Sequence, residues 1–290
     1  MASWNSATPA AGPASVPGAE RGIVRRGASE GVFDLRRLPV GPALEPFAEH
    51  VWCVSWDRRG APPHESRTIP FPSVHLTVEH GEPGEVRHGH PVPATLLHGV
   101  VTRAFRVRLS GSGWVVGVKF HPGGWAAWSG GDAGALTDRV VPAPARWAAA
   151  GADVLAAGTV EERAALLVAA LGEVAPEPSQ EYLDVLALVA RMRDDAGLVR
   201  AGQVADLAGC TPRTLQRRFL RLVGVGPKWV LNRFRLQEAA LLLERDPDAD
   251  LAGVAAKLGW YDQAHFSNDF RRILGERPGR YAAAARRSAG

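Results

Sequence analysis

Two stretches of sequence decide the C-terminal fold: VADLAGCTPRTLQRRFLRLVGVGPKWVLNRFRLQEAALLL at 204–243 and VAAKLGWYDQAHFSNDFRRILGERPGRY at 254–281. Compared with each other, they share a pattern that is displaced by 51 residues. Thr211, Leu215, Phe219, Gly224 and Pro227 recur as Asp262, Phe266, Phe270, Gly275 and Pro278. A cap residue starts a helix, apolar residues four and eight positions later anchor its buried side, and Gly then Pro end it. The same helix is therefore encoded twice.

A shorter helix is predicted before each of these, at 203–208 and at 251–258, and a glycine separates the two helices of each pair (Gly209 and Gly259). A short helix, a tight turn with Gly and a capped second helix describe a helix-turn-helix unit. Residues 227–244 predict one helix of about 27 Å between the two units, at about 1.5 Å per residue. Such a helix could hold two recognition helices about one DNA turn apart, which is roughly 34 Å. The alternative is an ordinary α-helical bundle with the same apolar core.

Charge favours DNA binding over the plain bundle. Residues 180–290 hold 18 Lys and Arg against 13 Asp and Glu, whereas residues 1–179 hold 16 against 17. Two clusters carry the excess: residues 211–235 contain seven basic side chains and no acid, and residues 271–287 contain six Arg and one Glu. Basic clusters beside duplicated turns indicate contacts with a polyanion. Two basic helices on one duplex predict about 6 to 10 neutralised phosphates.

Residues 200–282 resemble the DNA-binding domain of the AraC/XylS family of bacterial transcription regulators, along both stretches quoted above. The resemblance implies that the second helix of each unit enters a major groove of promoter DNA. By position, the first recognition helix would present Arg213, Gln216 and Arg217, with Thr214 toward the DNA backbone. The second would present Gln263, Ala264, Ser267 and Asn268, with His265 nearby. Arg reads guanine, Gln and Asn read adenine, and Ser or Thr can hold phosphates.

Two positions depart from the family pattern. Trp260 stands where the family usually has Phe, which is a change in packing. Asn268 stands where the family commonly has Arg, so the contact that an Arg would make with a base or phosphate is absent at that position.

The N-terminal half has a different periodicity. Residues 1–29 are rich in Ala, Pro, Gly and Ser and predict a disordered tail. From 30 to 145 apolar residues alternate with polar ones, as at Phe105, Val107 and Leu109, and GSG at 111–113 and HPGG at 121–124 predict turns. A β-rich barrel or sandwich is expected there. Residues 146–179 predict a helical linker that includes a capping box at Thr159 and Glu162, and residues 180–290 the DNA-binding domain, which gives an α+β chain.

Aromatic residues and histidines of the β-rich domain are candidates for a sensory site. By resemblance, this domain would bind a small-molecule effector, and Trp52, Trp56, His75, Trp114 and His121 are the residues expected to line its pocket. Such aromatic residues more often only pack in the hydrophobic core and bind no ligand. The His88-Gly89-His90 sequence is similar to the start of a cupin metal motif, but no Glu follows it closely, and its Gly and Pro content predicts a hairpin loop. We expect no metal site and no cofactor.

Other classes of protein are less well supported. A cupin-like metal-dependent enzyme or sensor fused to a DNA-binding module is the main alternative, and a DNA-repair regulator that accepts methyl groups on cysteine is a third. Cys53 and Cys210 are the chain's two cysteines, too few for the zinc-thiolate cluster that the third class needs. We find no catalytic motif and expect no enzyme. No apolar stretch is long enough to span a membrane, so we expect a cytoplasmic protein, with RNA polymerase and a second copy of the chain as further partners.

Overall fold

The computed structural model describes residues 31–68 and 71–289. The predicted disordered tail, residues 1–29, lies outside the described residues. Two domains follow, which we call the N-terminal domain (residues 31–172) and the C-terminal domain (residues 180–289). The α+β class expected from the sequence is confirmed, with the strands in the first domain and seven helices in the second.

The N-terminal domain is built on a six-stranded antiparallel sheet with strand order β1-β2-β9-β4-β7-β10, together with two two-stranded ribbons, β3–β8 and β5–β6. The strands are β1 (Asp34–Leu38), β2 (Ala48–Arg58), β3 (His64–Thr68), β4 (His75–His80), β5 (Val86–Arg87), β6 (His90–Pro91), β7 (Ala94–His98), β8 (Phe105–Leu109), β9 (Gly111–Phe120) and β10 (Val140–Pro142). Three helices accompany them: α1 (Gly124–Ser129), α2 (Ala145–Ala156) and α3 (Val160–Gly172).

The large sheet has one apolar face and one polar face. Val51 of β2, Val118 of β9 and Leu76 of β4 are register neighbours on the apolar face, and all three are buried in the main core. Helices α2 and α3 cover this face: Gly151 of α2 lies against Thr95 of β7. Successive side chains of a strand point to opposite faces, so the residues between these positions line the other face.

We call that other face the polar face. It carries Trp52, Trp56, His75, Thr77, Glu79, His98 and Lys119. The two ribbons cover part of it. The Trp56 indole N–H donates to the carbonyl of Ser110 at 3.1 Å, and Phe105 of β8 lies 6.3 Å from the His98 ring.

The glycines at 111–113 do not form the turn that the sequence predicted. Both belong to β9, and only Gly111, at φ 58°, marks the bend into that strand. Gly113 instead leaves room for an aromatic ring, because a Cβ there would lie 2.7 Å from the Trp56 ring. Gly117 does the same beneath Trp52, at 2.8 Å. These glycines therefore serve close packing on the polar face.

The segment predicted as a helical linker, 146–179, forms most of α2 and all of α3. The capping box at the start of α3 is confirmed: Thr159 Oγ1 accepts from the Glu162 amide at 3.2 Å, and the Glu162 carboxylate accepts from the Thr159 amide at 3.0 Å. Both helices pack on the sheet, and the Trp128 indole of α1 donates to the Leu171 carbonyl at 3.3 Å. The two helices thus complete the core of the N-terminal domain.

The C-terminal domain contains α4 (Gln180–Asp194), α5 (Ala201–Leu207), α6 (Pro212–Val223), α7 (Pro227–Arg245), α8 (Leu251–Lys257), α9 (Gln263–Leu274) and α10 (Pro278–Ala289). Its apolar residues fall into two cores. Leu215 and Phe219 of α6 join the main core that continues into the N-terminal domain, whereas Phe266 and Phe270 of α9 belong to a separate second core with part of α7.

Contacts between the domains are specific. The Tyr182 hydroxyl of α4 donates to the Pro46 carbonyl at 2.7 Å, and its ring stacks on Phe47 at 5.8 Å. The Thr137 hydroxyl donates at 2.5 Å to the carbonyl of Gly224, the residue that ends α6. The end of the first recognition helix is therefore bonded directly to the N-terminal domain.

A cationic sandwich forms a further contact between the domains. The Phe71 ring lies between Lys119 of β9, whose Nζ is 4.2 Å from the ring centroid, and Arg233 of α7, whose guanidinium carbon is 4.5 Å away. Arg233 is fully buried, and burial lowers the pKa of its guanidinium to about 9. Burial also lowers the pKa of Lys119, against the opposing effect of the nearby Glu49 carboxylate. The polar face thus reaches the helix that joins the two helix-turn-helix units.

Candidate nucleic-acid interface

The first helix-turn-helix unit consists of α5 and α6. Gly209 makes the turn between them with φ 58°, in the left-handed region where glycine is favoured. The Thr211 hydroxyl caps α6 by accepting from the Thr214 amide at 3.2 Å, and Pro212 occupies the first helical position. Leu215 and Phe219 face the core. The opposite side of the helix is consequently left open.

The second unit, α8 and α9, repeats this geometry. Gly259 turns the chain with φ 77°, the Asp262 carboxylate caps α9 by accepting from the His265 amide at 2.7 Å, and Gly275 ends the helix with φ 80°. The predicted duplication therefore exists in three dimensions, with the same kinds of cap, turn and terminator in both copies.

The predicted DNA-reading side chains lie on the open sides of the two recognition helices. On α6, Arg213, Gln216 and Arg217 are exposed and Thr214 is half-buried. On α9, Ser267 is half-buried and the other four predicted residues are exposed, namely Gln263, Ala264, His265 and Asn268. Their availability to DNA is what the predicted role requires; contact with bases remains a prediction.

A cleft of about 480 Å³ separates the two recognition helices, with α7 as its floor. It is lined by Gln216, Gly226, Lys228, Trp229, Asn232, His265, Asp269 and Arg272. Gln216 folds back onto Gly226, since a Cβ at that glycine would lie 2.7 Å from its Nε2. Two predicted reading residues, Gln216 and His265, therefore share this cleft.

Asp269 forms hydrogen bonds that hold the second recognition helix in place, and the sequence analysis did not identify it. Its Oδ2 accepts from the indole of Trp260 at 3.1 Å and from the amide of Asn232 at 3.3 Å, and its Oδ1 accepts from Arg272 at 2.8 Å. The first bond explains the Trp found at 260, because the Phe usual in the family has no N–H to donate. Asn232 belongs to α7, so Asp269 ties α9 to the connecting helix.

Four of the seven basic side chains of the first cluster, residues 211–235, are buried or make contacts within the protein. Arg218 and Arg221 both pair with Glu181 of α4, at 3.7 and 2.5 Å. Arg233 is buried, and Arg235 donates to the Leu258 carbonyl at 2.5 Å while lying 4.1 Å over the Trp260 ring. Three of the seven basic side chains are exposed and have no ion pair among the described residues, namely Arg213, Arg217 and Lys228.

The second basic cluster has more exposed charge. Arg272 pairs with Asp269 at 2.8 Å, and Arg286 pairs with Asp248. Four others are exposed and likewise form no ion pair within the described ranges: Arg271, Arg277, Arg280 and Arg287. Across both clusters, about half of the basic side chains counted in the sequence are available to an external anion.

The five candidate effector residues do not lie together. Trp52, Trp56 and His75 share the polar face, where the Trp52 indole donates to Nδ1 of His75 at 3.0 Å. Burial lowers the pKa of His75 well below its usual value, which fits the neutral, accepting ring nitrogen. Arg87 covers Trp56, with its guanidinium carbon 4.6 Å from the ring centroid.

Trp114 and His121 lie outside this group. Trp114 pairs in register with Ser55, whereas Gly117 pairs with Trp52, so Trp114 points to the opposite face of the sheet. There it stacks on His80 at 5.5 Å and beneath Arg163 of α3 at 4.1 Å. His121 follows the end of β9, and its amide donates to the Phe47 carbonyl. The expected pocket, as a set of five residues, is not assembled.

Comparison with known proteins divides the chain in the same way. Residues 36–142 match a family described as a domain of unknown function (DUF6597), and residues 204–284 match a helix-turn-helix domain family. Among curated proteins, an AraC-like transcription regulator of Streptomyces lividans is 38% identical over 95 residues, which is 33% of this chain and 31% of that protein. The regulator MtrA of Neisseria gonorrhoeae is 42% identical over 67 residues, 23% of this chain and 22% of its own length.

Similarity to solved structures is weaker. ToxT of Vibrio cholerae aligns with 87% of this chain and 97% of its own, at 9% identity and a TM-score of 0.40. The C-terminal domain of AraT from Geobacillus stearothermophilus aligns with 37% of this chain and 88% of its own, at 21% identity and a TM-score of 0.33. Likenesses at this level carry no conclusion about this chain.

The paired helix-turn-helix units and the curated matches together define the class: this is a DNA-binding domain of AraC type. Through that domain the chain is similar to AraC-like transcription regulators. It spans less than a third of the length of the curated relatives described above. Within the described residues, no helix is both long enough and apolar enough to cross a membrane.

Proposed function

We propose that the protein is a sequence-specific transcription regulator that reads promoter DNA with α6 and α9. The observation that carries this proposal is the pair of capped recognition helices with open polar sides, held in one frame by α7. Each helix presents Arg, Gln, Asn or Ser, the side chains that hydrogen-bond to base edges and phosphates. No catalytic role is needed for this activity, and we propose none.

The N-terminal domain is where we place control by a small molecule or a partner. Two structural features support this assignment. The polar face buries titratable groups in the interior of the domain, and the Phe71 contact joins that face to α7 through Arg233. We propose a second copy of the chain and RNA polymerase as further partners. We also propose that the protein acts in the bacterial cytoplasm.

Arg217→Ala tests the reading assignment. Because Arg217 is exposed on the open side of α6 and makes no ion pair within the described residues, its loss should cost about 1 to 3 kcal/mol in binding to the preferred site. The preference should relax at one base pair. The probe is a duplex selected from a random library by the purified full chain, compared with the same duplex changed at each position in turn.

The matched control is Arg191→Ala, which removes an exposed arginine of α4 that pairs with Asp195. It should leave affinity and preference unchanged. If Arg217→Ala weakened selected and random duplexes by the same factor, Arg217 would be a phosphate contact. If the wild-type chain showed no preference among duplexes, the proposed function would be wrong.

A further inference from the structure

Three side chains with metal-binding chemistry meet on the polar face. They are Glu79 of β4, His98 of β7 and His88, which lies in the turn between β5 and β6. One ligand atom from each lies within 4.8 Å of the others. Among residues 31–68 and 71–289, no other group of three His, Cys, Asp or Glu has this proximity.

Glu79 and His98 form the buried base of the cluster. They are 2% and 8% exposed, and Glu79 Oε1 lies 3.0 Å from His98 Nε2. The Thr77 hydroxyl donates to the same carboxylate oxygen at 2.9 Å and is 3.1 Å from the same ring nitrogen. A carboxylate oxygen and an imidazole nitrogen therefore already converge at the spacing of two neighbouring ligands around one ion.

His88 lies in the β5–β6 turn, which places its ring beside His98. His88 and Gly89 both have positive φ, 52° and 83°, as a two-residue type I′ hairpin requires. Gly or Asn usually occupies such positions, whereas here the chain places an imidazole. Its ring lies 4.9 Å from the His98 ring and stacks on Phe105 at 5.5 Å. One of its ring nitrogens thereby lies within 4.8 Å of the ligand atoms of Glu79 and His98.

A buried donor completes the surroundings of the cluster. Arg87 is 6% exposed, and its Nε donates to Glu85 at 2.7 Å. Its Nη1 has no hydrogen-bond partner and lies 3.6 Å from Oε2 of Glu79. Ligating carboxylates are commonly oriented by such outer groups, and here Thr77 and Arg87 act on the two different oxygens of Glu79. The unpartnered nitrogen also leaves a place for a water or an anionic ligand beside a bound ion.

We propose that Glu79, His88 and His98 bind one divalent transition-metal ion in the N-terminal domain. Two imidazoles and one carboxylate suit zinc, iron, cobalt or nickel, whereas calcium and magnesium take oxygen ligands. Three protein ligands leave at least one position open for a water or a small molecule. His90, the second histidine of the sequence motif, takes no part, because its Nε2 lies 3.2 Å from the Val140 carbonyl on the sheet edge.

Zinc titration of the chelator-treated full-length protein tests the site. Calorimetry should find one equivalent bound, and bound zinc should raise the melting temperature, because an ion that binds only the folded state stabilises it. Cobalt in place of zinc should give a visible ligand-field absorption. His98→Gln and His88→Gly should each abolish the stoichiometric binding and the thermal shift, while His90→Ala should keep both.

The His88→Gly variant keeps the test informative if His98→Gln fails to fold. Glycine adopts a φ near 52° without strain, which offsets the loss of the stack on Phe105, so the metal-free variant should still fold. Failure of the wild type to bind zinc, or equal binding by the wild type and His88→Gly, would overturn the inference. DNA affinity is measured separately, so a protein that binds zinc but no DNA would contradict only the proposed function, and the reverse result would contradict only the metal site.

Discussion

Phe266→Ala is expected to lower the free energy of unfolding by about 3 to 5 kcal/mol, the usual cost of emptying a buried aromatic site. Phe266 is fully buried between Trp260, at 5.1 Å, and Phe270, at 5.5 Å. The second core is separate from the main core and small, so it has few neighbours that could fill the cavity. A loss of this size is a large part of the stability of an ordinary domain. Specific DNA binding should fall with it.

Denaturant unfolding followed by circular dichroism measures this effect. Tyr261→Ala is the matched control, because Tyr261 precedes the same helix and is 94% exposed. Its effect should stay within about 0.5 kcal/mol. Similar unfolding midpoints for the two variants would mean that Phe266 does not support the second core in solution.

The affinity for DNA is expected to fall steeply with salt, but less steeply than the basic clusters of the sequence predict. Seven exposed basic side chains of the two basic clusters form no ion pair within the described part of the chain, and only some of them can face one duplex. With about 3 to 7 phosphates neutralised, the slope of log K against log salt should be about −3 to −6. Affinity should then fall roughly 10²- to 10⁴-fold between about 50 and 200 mM salt.

Two arginines of α6, one in an ion pair and one in none among the described residues, give a sharper test of this slope. Arg213→Gln removes an exposed charge and should make the slope shallower by about one. Arg218→Gln removes a charge that pairs with Glu181 of α4, and should leave the slope unchanged. A flat salt response of the wild-type chain would contradict DNA binding altogether. Equal slopes for both variants would contradict the distinction between arginines that are free to bind DNA and arginines held in ion pairs within the protein.

The local features of the helix-turn-helix units could be predicted because they are encoded within a few residues. Thr211, Asp262 and the glycines that follow each helix act on the backbone next to them, and their roles follow from spacing alone. The partners of Arg218 and Arg221 could not be predicted. Glu181 lies 40 residues before Arg221, and only the packing of α4 against α6 brings the two together.

The polar face was predicted less well for the same reason. A strand pattern gives the alternation of its side chains but not the register with its neighbours, and a shift by one residue reverses the face. Trp52 and Trp114 were therefore expected together and lie on opposite faces. Glu79, His88 and His98 come from three elements. The sequence showed only His88 and His90 close together and no metal site was expected, whereas the pairing of β4 with β7 places His98 beside Glu79.

Because the long helix α7 is rigidly packed, we expect the promoter DNA, and not the protein, to change shape when the two bind. Nine of its residues are buried, and its N-terminal part contacts both recognition helices, at Gly226 for α6 and through the Asn232–Asp269 bond for α9. A connector packed in this way cannot lengthen or swing to follow a duplex. The base pairs between the two contacted segments must bend or twist into place, at an elastic cost that depends on their stacking. Sites with flexible pyrimidine–purine steps there should be preferred to stiff adenine tracts, even without a direct contact to those base pairs.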